Sequence, residues 1–169
     1  MSAGKTSIES MFEQLIDLGS AADEPALIER IAALERLKAA AAAGQARLTA
    51  ALDTARRAAE AASGVPDARR GRGVAAEVAL ARRDSPVRGG RHLGFAKALV
   101  HEMPHTLAAL EAGALSEWRA TILVRESACL DAEDRRRLDE EMCRGTSGLD
   151  GLGDAELAVE AVELVRDRQ

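Results

Sequence analysis

Apolar residues recur at three- and four-residue intervals along much of this chain, the period of amphipathic helices. After Pro25, which stands where a first-turn proline belongs, a helical pattern runs to about Ser63. Its stripe is Leu27, Ile31, Leu34, Leu37, Ala41, Leu48, Leu52, Ala55, Ala59 and Ala62. That spacing resembles a coiled-coil or bundle seam, and its alanine-rich second half permits close approach of a neighbour. Gly44 costs about 1 kcal/mol inside such a helix and marks a candidate kink. Upstream, Thr6 and Glu9 stand at capping-box spacing before Phe12, Leu15 and Ile16, which predicts a short helix starting near Ser7. Gly19 to Asp23 ends it.

The stretch "GVPDARRGRG", 64–73, reads as a linker, and shorter helical patterns follow it. Val74 to about Arg83 is one helix. Pro86 to Met103 is the next, with Leu93, Ala96, Val100 and Met103 in line. Pro104 interrupts it, and residues 105–112 form another helix closed by Gly113 as the residue just past its end. Ser116 caps a helix with Trp118, Ile122, Arg125 and Cys129 on one face; Asp131 caps one with Arg135, Leu138 and Met142. After a flexible composition over 144–153, Asp154 caps a last helix carrying Leu157, Ala161 and Leu164. The expected organisation is a helical arm over 1–63, a linker over 64–73, a compact helical unit over 74–143, and a linker with a C-terminal helix over 144–169.

Composition agrees with an all-α fold: a long Ala-rich N-terminal helix packed on a bundle of shorter helices with a helix-turn-helix-like corner. Of the 169 residues 36 are alanine; there is no tyrosine, and there are two phenylalanines and one tryptophan, so strand formers are scarce. Leu, Ile, Val and Phe together number 36, which makes the core thin and suggests that some helices need a partner chain to cover their apolar stripes. No apolar run approaches the roughly 20 residues of a membrane span, and the first residues do not form a signal peptide. Cys129 and Cys143 are isolated, which favours buried, reduced thiols in a cytoplasmic protein over a disulfide framework or a zinc knuckle.

The net charge of −5 hides an asymmetry. Residues 56–100 carry a net +6, while the flanking segments 1–55 and 101–169 carry −3 and −8. Binding of a polyanion depends on the local field, so an acidic chain with one basic belt remains a candidate for it. Within the belt, Val74 to Leu99 has the spacing of a helix-turn-helix: a short helix with small residues, a tight turn, and a second helix started and capped at "DSP", 84–86, whose early exposed residues are Arg88, Arg91 and His92. In such folds the start of the second helix enters the major groove, where arginines reach guanine edges or phosphates. The candidate DNA-binding set is Arg69, Arg70, Arg72, Arg82, Arg83, Arg88, Arg91, His92 and Lys97. Asp84 and the pair Gly89–Gly90 count against it, the glycines by roughly 1 kcal/mol each in helix stability.

Two catalytic patterns fail. "HEMPH", 101–105, fits H-E-x-x-H, whose chemistry needs both histidines on one helical face, but Pro104 puts them on different helices. The glycine clusters "RRGRGVAAE" and "RGGRHLG" lack phosphate-loop spacing, and no strand precedes either. No cofactor or metal is expected.

The segment "MPHTLAALEAGALSEWRATILV" is similar to the pair of helices after the helix-turn-helix of ParB-type partition proteins. A denser likeness covers about 20 to 169. "GRGVAAEVALARRDSP", "LGFAKALVHEMPHTLAALEAGALSEWRATILVRESACLD" and "RRRLDEEM" closely resemble domain of unknown function 222, the 13E12-repeat family. This is a helical domain usually placed N-terminal to an HNH endonuclease domain. The resemblance implies a cytoplasmic, DNA-associated protein, without implying that this chain cuts DNA. HNH chemistry requires a histidine general base and metal ligands in a ββα unit, and no such unit is read before Gln169. The chain is then either the N-terminal part of a longer protein or a short family member. Two functional readings stand side by side: a non-catalytic module contacting duplex DNA through 64–100, which positions a nuclease or represses a promoter, and a protein-interaction scaffold without nucleic-acid contact, which uses 25–63 to self-associate as a dimer or to hold a catalytic domain.

Overall fold

In a computed structural model of the chain, residues 23–145 and 151–167 are described, with Ile8 and Ser10. The short helix expected from Ser7 lies outside the described residues. All regular structure among the described residues is helical. A 39-residue helix α1 (Glu24–Ala62) is followed by a 3-10 turn (Asp67–Arg69), then α2 (Val74–Ala81), α3 (Pro86–His101), α4 (Pro104–Glu111), α5 (Glu117–Glu126), α6 (Ala132–Cys143) and α7 (Asp154–Arg166). The long helix, the shorter ones and the corner between α2 and α3 match the expected all-α architecture. No helix among the described residues is long and apolar enough to cross a membrane.

Contacts group the chain into two compact units, Met1–Leu34 and Glu35–Gln169, so residues 35–62 of α1 belong to the larger unit instead of to an arm ending at 63. Asp23 starts α1, its carboxylate accepting from the Ala26 N–H at 3.0 Å. The helix runs unbroken through Gly44. Its buried face differs from the expected stripe: Ala39, Ala42, Ala43, Ala46, Thr49, Ala50 and Asp53 are buried, whereas Leu48 and Leu52 are exposed. Ala39, Ala42, Ala43 and Ala46 join the core cluster of the larger unit, and the leucines at 48 and 52 stay outside it.

The residues over 64–73 form an ordered connection. The Gly71 N–H donates to the Glu60 carboxylate at 2.7 Å, and the Arg70 guanidinium donates to the Val65 carbonyl at 2.7 Å. Beyond it the caps expected from the sequence are present. Ser85, Ser116 and Asp131 each accept from backbone N–H groups at the starts of α3, α5 and α6, and Gly113 takes φ +73° just past α4. At α7 the cap is Gly153, not Asp154, and the buried face is Leu157, Ala161 and Val165.

The core of the larger unit gathers the α1 alanines with Phe95, Leu99, Met103, Leu107, Leu110, Leu115, Leu123, Leu138, Met142 and Leu157. A buried polar cluster adjoins it. The start of α4 has no side-chain cap of its own; Asp139 of α6, fully buried, supplies one. It accepts from the His105 N–H and the Thr106 N–H at 2.7 Å each, and from the Thr106 hydroxyl at 2.5 Å. Cys143, against the same hydroxyl, is buried, and burial pushes its thiol up to about 11. Cys129 departs from expectation: it lies past the end of α5 and is exposed.

Candidate functional site

The corner between α2 and α3 is made by one close contact and one unusual backbone. Gly89 sits where α3 crosses α2; a Cβ there would lie 2.2 Å from the Ala75 carbonyl oxygen and 2.7 Å from the Ala79 Cβ. Gly90 faces open space. The double glycine, a weakness when judged by helix propensity, therefore includes one position that the crossing demands. In the turn, Arg83 adopts φ +55°, a left-handed conformation that costs a side-chain-bearing residue roughly 1–2 kcal/mol. Its exposed guanidinium has no ion-pair partner among the described residues.

Asp84 organises the start of α3. It accepts from the Ser85 N–H at 2.9 Å, bonds His92 Nε2 at 3.0 Å, and lies 3.5 Å from the Arg88 guanidinium. The His92 hydrogen bond first, then Ser85 and Arg88, hold its carboxyl below the usual range. Arg82, half-buried, crosses from the turn to Glu117 at the start of α5 at 2.9 Å. Arg82, Asp84, Arg88, Arg91, His92 and Phe95 on one side, with Glu117, Trp118 and Thr121 of α5 on the other, enclose a cleft of about 390 Å³. Trp118 is 56% exposed beside it, while Ile122, expected on the same helical face, is buried.

The candidate DNA-binding residues thus divide. Arg82, Arg88, Arg91 and His92 line the cleft. Arg69, Arg70, Arg72, Arg83 and Lys97 do not line it. Arg70 and Arg72 are occupied by the carbonyls of Val65 and Ala68, and Lys97 lies 3.4 Å from Asp53. Arg69 is exposed. Carboxylates hold several cations of the belt: Glu77, within it, takes Arg56 through two bonds of 2.9 Å, and from outside it Asp53 takes Arg57 and Lys97 and Glu117 takes Arg82. Arg91 is exposed, with no ion-pair partner among the described residues. What the sequence reading missed is Trp118 as part of the site; its signal was present, since it is the chain's one tryptophan.

The two histidines of the "HEMPH" pattern lie on different helices, as expected. His101 ends α3, His105 lies in α4, and Glu102 pairs with Arg135. Among the described residues no group of three or more His, Cys, Asp or Glu side chains is placed to hold a metal ion. No family model, curated protein or solved structure matches the chain.

Proposed function

We propose that this chain is a non-catalytic, DNA-associated module of the kind that its resemblance to domain of unknown function 222 implies, acting in the cytoplasm and positioning or accompanying an HNH nuclease domain. One observation carries the reading: Arg88 and Arg91 stand exposed on the first turns of the second helix of a helix-turn-helix-like corner, at the mouth of a cleft. That is where such corners meet a duplex. Arg83, in the turn that precedes α3, is exposed in a left-handed conformation.

Fluorescence anisotropy with a labelled duplex, repeated across salt concentrations, tests it. Binding is expected to weaken steeply with salt, and Arg88→Ala with Arg91→Ala should lower the log–log salt slope by about 2. Asp84→Asn acts in the opposite direction, because it removes a carboxylate and releases Arg88 and His92. A double variant that binds with unchanged affinity and slope would sink the assignment of α3.

A second reading has its own support. Leu48 and Leu52, one turn apart on α1 in the larger unit, are exposed, as are Leu27, Ile28, Ile31 and Leu34 in the smaller one, and exposed apolar side chains grouped on a helix mark association surfaces. In this reading the chain is a scaffold that pairs with a second copy of itself. Light scattering should then give a dimer mass, reduced to that of a monomer by Leu48→Glu with Leu52→Glu. A monomer of the unaltered chain at all concentrations would dispose of it.

A further inference from the structure

We propose that the cleft between the start of α3 and Trp118 takes an unpaired nucleobase of a DNA strand, stacked on the indole, with the adjoining phosphates held by Arg88 and Arg91. The proposal rests on the DNA-binding reading and names the form of DNA that the site recognises.

Three features of the cleft lead there. The first is its mixed charge. Arg82, Arg88 and Arg91 share it with Asp84 and Glu117, three guanidinium groups against two carboxylates. Asp84 holds Arg88 and His92 and Glu117 holds Arg82, and both carboxylates repel phosphates. Their remaining acceptor capacity suits a base: carboxylates accept hydrogen bonds from exocyclic amino groups and ring N–H groups, as they do from cytosine N4.

The second is the aromatic surface. Trp118 is more than half exposed although it is the largest side chain in the protein, and Phe95 is buried beneath the same cleft. Aromatic platforms of this type are how proteins hold single-stranded bases, each of which offers a π-face.

The third is scale. About 390 Å³ is the size of a small-ligand site, which runs roughly 300–1,000 Å³. Within an intact duplex every base is stacked and presents only its edges, so the indole can be used only by a base that has left the stack. A perfect duplex laid across α3 would engage Arg88 and Arg91 and leave Trp118 idle.

Because Trp118 is the sole tryptophan, its emission reports on this site alone. The full chain is titrated with a perfect duplex, with the same duplex carrying one unpaired base, and with the same duplex carrying one abasic residue in place of that base. The unpaired base is expected to bind roughly tenfold or more tighter than the abasic form, the amount one stacking contact supplies, and to quench the emission. The abasic and perfect duplexes should bind alike, without quenching. Trp118→Ala should abolish the preference while leaving perfect-duplex affinity in place, and Trp118→Phe should restore most of it. Equal binding and equal quenching by the abasic form would overturn the base pocket while leaving the DNA reading intact. Absence of binding to all three would end both.

Discussion

Replacing Gly89 with alanine is expected to destabilise the protein by about 3 kcal/mol, whereas the same change one residue later, at Gly90, is expected to stabilise it by about 1 kcal/mol. Both substitutions gain the same helix propensity and remove the same flexibility from the unfolded chain. They differ in what the new methyl meets. At Gly90 nothing lies within 4 Å, so the gain is kept. At Gly89 the methyl would lie 2.2 Å from the Ala75 carbonyl oxygen, a backbone atom that cannot turn aside as a long side chain would. Relief requires α3 to lift from α2, which opens the contact around Val78, Ala79 and Phe95 and displaces Arg88 and Arg91 from the cleft. Denaturant unfolding of the two variants beside the parent checks the opposite signs. If Gly89→Ala matches Gly90→Ala, the close crossing of the two helices is wrong, and with it the geometry of the corner.

That pair also shows where the sequence was legible. Helix starts are decided locally, by a side-chain oxygen reaching the backbone two or three residues on, and Ser85, Ser116 and Asp131 were readable for that reason. The left-handed Gly113 after α4 is equally local. Which face of a helix is covered is decided by the partner, far away in sequence. Leucines outrank alanines on any hydropathy scale, so the stripe through Leu48 and Leu52 looked like the inner face of α1. The core takes Ala39, Ala42, Ala43 and Ala46 because those positions join the cluster of Phe95, Leu99 and Leu110, residues far along the chain.

The site divides along the same line. The corner, its Ser85–Pro86 helix start and the early arginines of α3 follow from neighbouring residues. The partners from outside the belt that offset part of its charge do not: Glu117 lies 35 residues from Arg82, and Asp53 stands far upstream of Lys97. A run of net charge read from sequence is therefore an upper bound on the field that a folded surface presents. The same distance hid the cleft, because Trp118 meets α3 only once α4 has turned the chain back.

Removing the Asp139 carboxylate is expected to cost about 3 kcal/mol, combining a lost helix cap with buried donors left unpaired. In Asp139→Ala the His105 and Thr106 N–H groups and the Thr106 hydroxyl all lose their acceptor in the interior of the larger unit. Water cannot replace it without entering a region where Leu138, Thr106 and Cys143 are buried. The melting temperature should fall by roughly 10 °C for a chain of this size. Asp139→Asn should lie between, since one amide oxygen can serve only part of what two carboxylate oxygens do. The pH dependence carries a further sign. Burial raises the Asp139 pKa, and the hydrogen bonds from Thr106 and His105 pull it only part of the way back. The folded protein therefore keeps this proton at a pH where the unfolded chain, with an ordinary value near 3.9, has released it. The stabilisation from this group is full below about pH 4 and is lost as the pH rises through the raised folded value. Asp139→Asn has no proton to lose, so its deficit relative to the parent should shrink as the pH climbs through that window. Urea unfolding at a series of pH values measures the difference directly. A deficit that widens with pH would show that the three donors, not burial, dominate the carboxyl.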